Sequence, residues 1–273
     1  MPRLIRGALD SAGVGGQDRV STGVDLIGDI AIVRLALFRP REKKRIGEAI
    51  LGQVKSAKAV YEQEGGVEGE LRLRSLKHIA GEKRTLTTHR ENGCAFRVDV
   101  AKCYFSPRLS TERLRVAGLI RKGERMLNMF AGVGPFSIEA AKIGRARVTS
   151  CELNPYACEL HRENDRLNKV EKLVNVVEGD ASDLRPDVRF DRVVMPHPSK
   201  ADEFLPSALA LAGKGATIHY YRHLPGRDEL EALRMLAEEL SELLPKGARY
   251  KAHRVRVVGP RWVETVADIR LKA

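Results

Sequence analysis

The stretch Leu127-Asn128-Met129-Phe130-Ala131-Gly132-Val133-Gly134-Pro135-Phe136-Ser137-Ile138 constrains the fold more than any other part of the chain. A short apolar approach enters a turn with two glycines. The residues that follow, Ser137-Ile138-Glu139-Ala140-Ala141-Lys142, are alanine-rich and suit a helix, so the pattern reads strand–turn–helix. Gly132 and Gly134 let the backbone approach a ligand where a Cβ would collide. Pro135 suits a first helical turn, where its missing N–H has no intrahelical partner to lose.

The next segment narrows the ligand. Arg147 to Glu152 reads as a second strand that ends in a carboxylate eighteen residues after Gly134, followed by a helix from Asn154-Pro155 to Asn168. In doubly wound α/β folds an acid at that place accepts from ribose hydroxyls, which implies a nucleoside-containing cofactor. A dinucleotide fingerprint needs a third glycine at position 137, where serine stands. The turn also lacks a basic clamp for a pyrophosphate.

A third strand, Leu173 to Val177, leads into Glu178-Gly179-Asp180-Ala181, where Asp180 can accept from an exocyclic amine such as adenine N6. A fourth, Phe190 to Met195, ends in Pro196-His197-Pro198. Four strand ends then lie along one edge, where open parallel sheets bind ligands. Glycine turn, acid, Gly-Asp-Ala and proline-rich strand end, in this order, resemble the class I S-adenosylmethionine-dependent methyltransferases. The fold class implied is α/β, a Rossmann-like methyltransferase domain with a mixed seven-stranded sheet whose last strand inserts antiparallel, preceded by a smaller N-terminal α+β domain. The expected boundaries are 1–25 for a mobile lead-in, 26–108 for a small RNA- or substrate-binding domain, and 109–273 for the cofactor domain.

Charge points to the partner. Lys and Arg outnumber Asp and Glu by 48 to 36, for a net charge of +12. That excess supplies steering and phosphate contacts for a polyanion, so nucleic acid is the natural partner. The alternative is a basic surface of the kind found with high-temperature ion-pair networks. No apolar run of about 18 residues spans a membrane, and the N-terminus has no apolar signal core; the expected location is cytoplasmic. Cys94, Cys103, Cys151 and Cys158 have no metal-ligand spacing and read as buried reduced thiols, so no metal is expected.

Upstream, Leu26 to Leu35 reads as a strand with a glycine break and Arg41 to Gln53 as an amphipathic helix. Gly65-Gly66 reads as a turn. In Leu71-Arg72-Leu73-Arg74, alternation places the leucines on one strand face and the arginines on the other. Arg84 to Arg90 and Ala95 to Val100 form a hairpin across Asn92-Gly93. Ser106-Pro107 blocks a helix, and Ser110 or Thr111 starts a new one with Glu112 in its first turn, where the helix dipole favours the ionised form.

In order, Gly69-Glu70-Leu71-Arg72, Ile79-Ala80-Gly81-Glu82, Thr88 to Gly93, Val98 to Lys102, Tyr104-Phe105-Ser106-Pro107-Arg108 and Met129 to Phe136 closely resemble the archaeal and eukaryotic tRNA (guanine37-N1)-methyltransferase family. The similarity runs from about residue 26 to the end, with the family's separate small N-terminal RNA-binding domain expected to be shortened or lacking. The resemblance implies tRNA as substrate and S-adenosyl-L-methionine as methyl donor. It implies Glu112 as the base that takes the N1 proton, Arg72 as the cation at O6, and Arg108 as a residue that holds base and cofactor. It also implies Phe130, Ala131, Gly132 and Gly134 around the methionine part, Glu152 at the ribose, Asp180 and Ala181 at the adenine, and Pro196, His197 and Pro198 beside the target base.

Pro196 stands where the family usually carries an asparagine that holds the guanine, and proline cannot donate a hydrogen bond. His197 either takes over with a ring nitrogen or is an ordinary strand-end histidine. Asn128, where an aspartate is common, is a milder departure. The rival readings are aminocarboxypropyl transfer or methylation of a wyosine intermediate at position 37 of tRNA, and a non-catalytic RNA-binding paralogue.

Overall fold

The computed structural model describes residues 2–15 and 23–273. The chain divides into two compact units, 1–110 and 111–273.

The first unit opens with helix α1 (Pro2–Ala12), followed by strands β1 (Asp25–Ile27) and β2 (Ile30–Val33) and helix α2 (Pro40–Gln53). Four strands follow: β3 (Ala59–Glu68), β4 (Leu73–Gly81), β5 (Leu86–Glu91) and β6 (Cys94–Asp99). β1 to β4 form one sheet in that order, and β5–β6 is a separate hairpin. Ile5, Ala8 and Leu9 of α1 and Ile46 and Ile50 of α2 share one core with Ala31, Val33 and Val60.

Four expectations for this unit are corrected. The expected lead-in carries α1, an apolar helix face that needs α2 to cover it; residues 16–22 of that segment lie outside the described residues. Gly65-Gly66 is a register shift inside the long β3, between Glu64 and Val67, rather than a turn. Arg72 sits on no strand: the turn between β3 and β4 takes Gly69 to Arg72, and Arg72 adopts a left-handed φ of 54°. The glycine break at Gly28-Asp29 is a hairpin turn, so the expected single strand is the pair β1 and β2. Asn92 (φ 48°) and Gly93 (φ 73°) make the expected β5–β6 turn.

The second unit begins in helix α3 (Ser110–Gly118). It continues with β7 (Arg125–Asn128), α4 (Pro135–Lys142), β8 (Arg147–Glu152), α5 (Pro155–Leu167), β9 (Val174–Glu178) and β10 (Phe190–Met195). Then come α6 (Ala201–Leu211), β11 (Ala212–Pro225), α7 (Glu229–Leu243), β12 (Arg249–Gly259) and β13 (Trp262–Arg270). The seven strands lie in the order β12-β13-β11-β10-β7-β8-β9. β9, β8, β7, β10 and β11 are mutually parallel, and β13 runs antiparallel to both β11 and β12. This is the mixed seven-stranded sheet expected from the class I resemblance. The chain winds one way from β7 and the other way from β10, so the topological switch point lies between them, where such sheets hold ligands.

Candidate active site

At the switch point the turn after β7 is fixed from below. Its backbone is held by Met129 N–H to Val194 O (3.0 Å), Ala131 N–H to Cys151 O (2.9 Å) and Gly134 N–H to Ala131 O (3.0 Å). Asn164 on α5 donates to Val133 O at 3.0 Å. Gly134 has φ 91°, and a Cβ there would stand 2.3 Å from the ring of His161. The histidine packed beneath the turn therefore requires glycine at position 134, whatever the turn holds above it. His161 is fully buried; burial pushes it down to about 3 and keeps the ring neutral. Its neighbour Asp165, with Oδ1 3.5 Å from Nε2, is pushed up to about 7 by burial.

Ser137, in place of the dinucleotide-type glycine, has a structural task. Its hydroxyl accepts from Asn128 Nδ2 at 3.0 Å and from Ser150 Oγ at 2.7 Å, and all three side chains are fully buried. The network ties β7, α4 and β8 together under the turn. Ser137→Ala leaves two buried donors without an acceptor and is expected to destabilise the protein by about 1–3 kcal/mol, read by urea unfolding. A change within about 0.5 kcal/mol would mean that the network carries no stability.

The expected cofactor residues come together along this edge. Glu152 at the end of β8 accepts from Gly132 N–H at 2.6 Å and Asn154 N–H at 2.8 Å. Burial raises its carboxyl, opposed by those amides. Asp180 accepts from Ser182 N–H at 2.7 Å, which caps the short turn Ala181–Asp183, and Ala181 is buried. Phe130 packs against His197 (centroids 5.0 Å) and Phe204 (4.9 Å). Pro196 is half-buried, while Pro198 is buried with its carbonyl 3.4 Å from Arg222 Nη1. A glycine turn, a carboxylate at the second strand end and an acid at the third fit the polar pattern of a nucleoside with an apolar neighbour. Cys151 and Cys158 are buried, with burial pushing the thiols up to about 11 and about 12, so neither is a nucleophile at neutral pH.

Glu112 sits in the first turn of α3, 6% exposed. Its Oε1 accepts from Tyr221 Oη (2.6 Å) and Arg115 Nη2 (2.7 Å), and its Oε2 from Arg115 Nε (2.8 Å). His253 Nε2 stands 3.7 Å from Oε2. Burial would raise this carboxyl, but Arg115, His253 and Tyr221 outweigh it and hold it down at about 2. Arg115 also grips Asp268, at 2.6 and 3.1 Å. Asp268 in turn meets His219 Nδ1 at 2.6 Å, and His219 Nε2 faces Arg192 Nη1 at 2.7 Å. An aspartate on one side and a guanidinium on the other fix the tautomer: Nδ1–H donates and Nε2 accepts. Burial keeps His219 neutral. The result is a buried chain of alternating donors and acceptors that sets the rotamer of Glu112.

In the first unit, the Arg72 guanidinium lies 4.4 Å above the Tyr104 ring, and Arg108 Nε donates to Asp25 at 2.6 Å. Arg74 donates to the Phe105 carbonyl at 2.9 Å, and Phe105 packs on His89 and Phe96. Asn92, in the hairpin turn, donates to the Ser110 carbonyl at 3.0 Å.

Residues 87–244 match the model of the TRM5/TYW2 methyltransferase domain, and residues 12–85 that of the TYW2 N-terminal domain. The chain belongs to the TRM5/TYW2 methyltransferase family. It is 42% identical over 257 residues to the tRNA (guanine(37)-N(1))-methyltransferase Trm5b of Pyrococcus abyssi, covering 92% of this chain and 75% of that protein. It is 33% identical to the tRNA 4-demethylwyosine(37)-methyltransferase Taw21 of Saccharolobus solfataricus, covering 90% and 93%. The solved complex of aTrm5 with tRNALeu superposes with a TM-score of 0.84 at 33% identity, over 93% of this chain and 73% of that one.

For this TRM5/TYW2 member, sequence reasoning missed Arg115, Tyr221, His253, Asp268 and His219. Only Arg115 had a local signal, its i,i+3 spacing from Glu112 on a helix. Asp268, a carboxylate amid the apolar residues of β13, was the other available sign.

Proposed function

We propose that the protein transfers the methyl group of S-adenosylmethionine to N1 of guanosine 37 in tRNA. The observation that carries this reading is the buried Glu112 carboxylate, kept ionised and held in one orientation by Arg115 and Tyr221. S-adenosylmethionine supplies, when bound, a methyl group on a cationic sulfur whose departure needs no acid. Glu112 accepts the N1 proton, so that the N1 electron pair is free to form the new N–C bond. Arg72 faces O6, where the charge of the deprotonated ring collects, and Arg108 positions the base. Phe130, Ala131, Gly132 and Gly134 bracket the methionine part. Glu152 takes the ribose, Asp180 and Ala181 the adenine, and Pro196, His197 and Pro198 border the target base. The first unit holds the tRNA, the +12 charge favours that polyanion, and the work is done in the cytoplasm.

A second reading is methylation of 4-demethylwyosine at the same tRNA position. Two observations favour it: the chain matches Taw21 over nearly that protein's whole length, and proline replaces the guanine-holding asparagine. Incubation with tRNA bearing guanosine or 4-demethylwyosine at position 37, using donor labelled in the methyl or the carboxypropyl part, separates the readings. Methyl label in 1-methylguanosine is the expected result. Methyl label only on the tricyclic base selects the second reading. Carboxypropyl label overturns both.

A further inference from the structure

Strand β11 outruns β10. Its last pair with β10 is Tyr220 with Met195, yet it continues to Pro225, accompanied throughout by β13. The overhang lies at the ligand edge of the sheet, because β11 is parallel to the strands that carry the cofactor turn.

Cross-strand partners, and every second residue along a strand, share a face. One face of the overhang therefore presents three rows. The first is Tyr221, Val266 and His253; the second is His223, Glu264 and Arg256; the outermost is Pro225, Trp262 and Gly259. Glu112 sits over the first row, in contact with Tyr221 and His253. In the second row Glu264 is buried and neutralised by Arg256 at 2.5 Å, with His223 at 3.7 Å. Trp262, four residues beyond Val266 and so roughly 13 Å further along the strand, is 47% exposed. Beside it stand the exposed Pro260 and Arg261, whose carbonyl is bound by Gly226 N–H at 3.0 Å, fixing the tip.

We infer that Trp262 is a stacking platform for a nucleotide next to the one methylated, with Arg261 beside its phosphate. This rests on the RNA reading above. A half-exposed indole on a backbone-tied hairpin tip, next to a cation, on the same sheet face as the candidate base, matches the way proteins hold unpaired nucleotides. The excess positive charge of the chain selects RNA over a second copy of the protein as occupant.

The chain has a single tryptophan, so its fluorescence reports this residue alone. The test titrates the full-length protein with an RNA anticodon stem-loop carrying guanosine at position 37, following tryptophan emission and, separately, the anisotropy of a labelled RNA. The expected result is quenching that tracks binding. Trp262→Ala should weaken binding about 5- to 100-fold and Trp262→Phe should restore most of it. RNA binding with unchanged emission, or with unchanged affinity in Trp262→Ala, overturns the inference while leaving the methylation reading intact. Emission that instead changes with protein concentration in the absence of RNA assigns the tip to self-association and also overturns it. Absence of both RNA binding and methylation in the wild type removes the reading beneath it.

Discussion

Glu112→Gln is expected to lower the methylation rate by about 10²- to 10⁴-fold, the usual contribution of a positioned base. The amide keeps the size and the Oε1 acceptor for Tyr221 and Arg115 Nη2, gives up the acceptor for Arg115 Nε, and cannot take a proton from N1. The loss should therefore fall on kcat, with binding of S-adenosylmethionine and of tRNA within about threefold of wild type by calorimetry. A variant that retains more than a tenth of the wild-type rate would remove Glu112 from the role of base.

The pH dependence is a second handle on the same carboxylate. Its folded value of about 2 lies below the ordinary 4.5. Stability from the Glu112 ion pairs is therefore complete above about pH 5 and lost as pH falls through 4.5 toward 2. It follows that Glu112 is ionised throughout the working range. Any acid limb of the rate above pH 5 belongs to another group, and that limb should persist in the residual activity of Glu112→Gln.

Much of the cofactor domain was legible because its signals are local. Glycine turn, strand-end acid and Gly-Asp-Ala each sit within a few residues of the element they punctuate, and the sheet edge follows from parallel topology. The holding of Glu112 was not legible, because Tyr221 and Asp268 reach it across 109 positions of sequence in one case and through Arg115 in the other. Arg72 was misplaced for a different reason. Leucine–arginine alternation mimics a strand, whereas the glycine at 69 (φ 67°) starts a turn that carries Arg72 into the left-handed region and over Tyr104. The apolar face of α1 was masked by nearby glycines that belong to the segment after it.

Gly134→Ala should damage the fold severely. Two costs combine. A φ of 91° is strained for any residue with a Cβ, by about 1–3 kcal/mol. The new methyl would also fall 2.3 Å from Cδ2 and Nε2 of His161. That ring has no room to yield, since it is completely buried on α5, whose Asn164 is bonded to the Val133 carbonyl one residue before the glycine. Moving the histidine moves the turn. The expected loss is about 3 kcal/mol or more in urea unfolding, and the surviving folded protein should bind S-adenosylmethionine at least about tenfold more weakly, since Gly132 N–H and Glu152 are set by the same turn. The double variant Gly134→Ala, His161→Ala separates the two costs. It removes the collision but not the backbone strain, so measured against His161→Ala alone, the added alanine should cost only the strain, about 1–3 kcal/mol. If Gly134→Ala costs the same with and without His161, the histidine is not what reserves this position for glycine, and the constraint lies in the backbone alone.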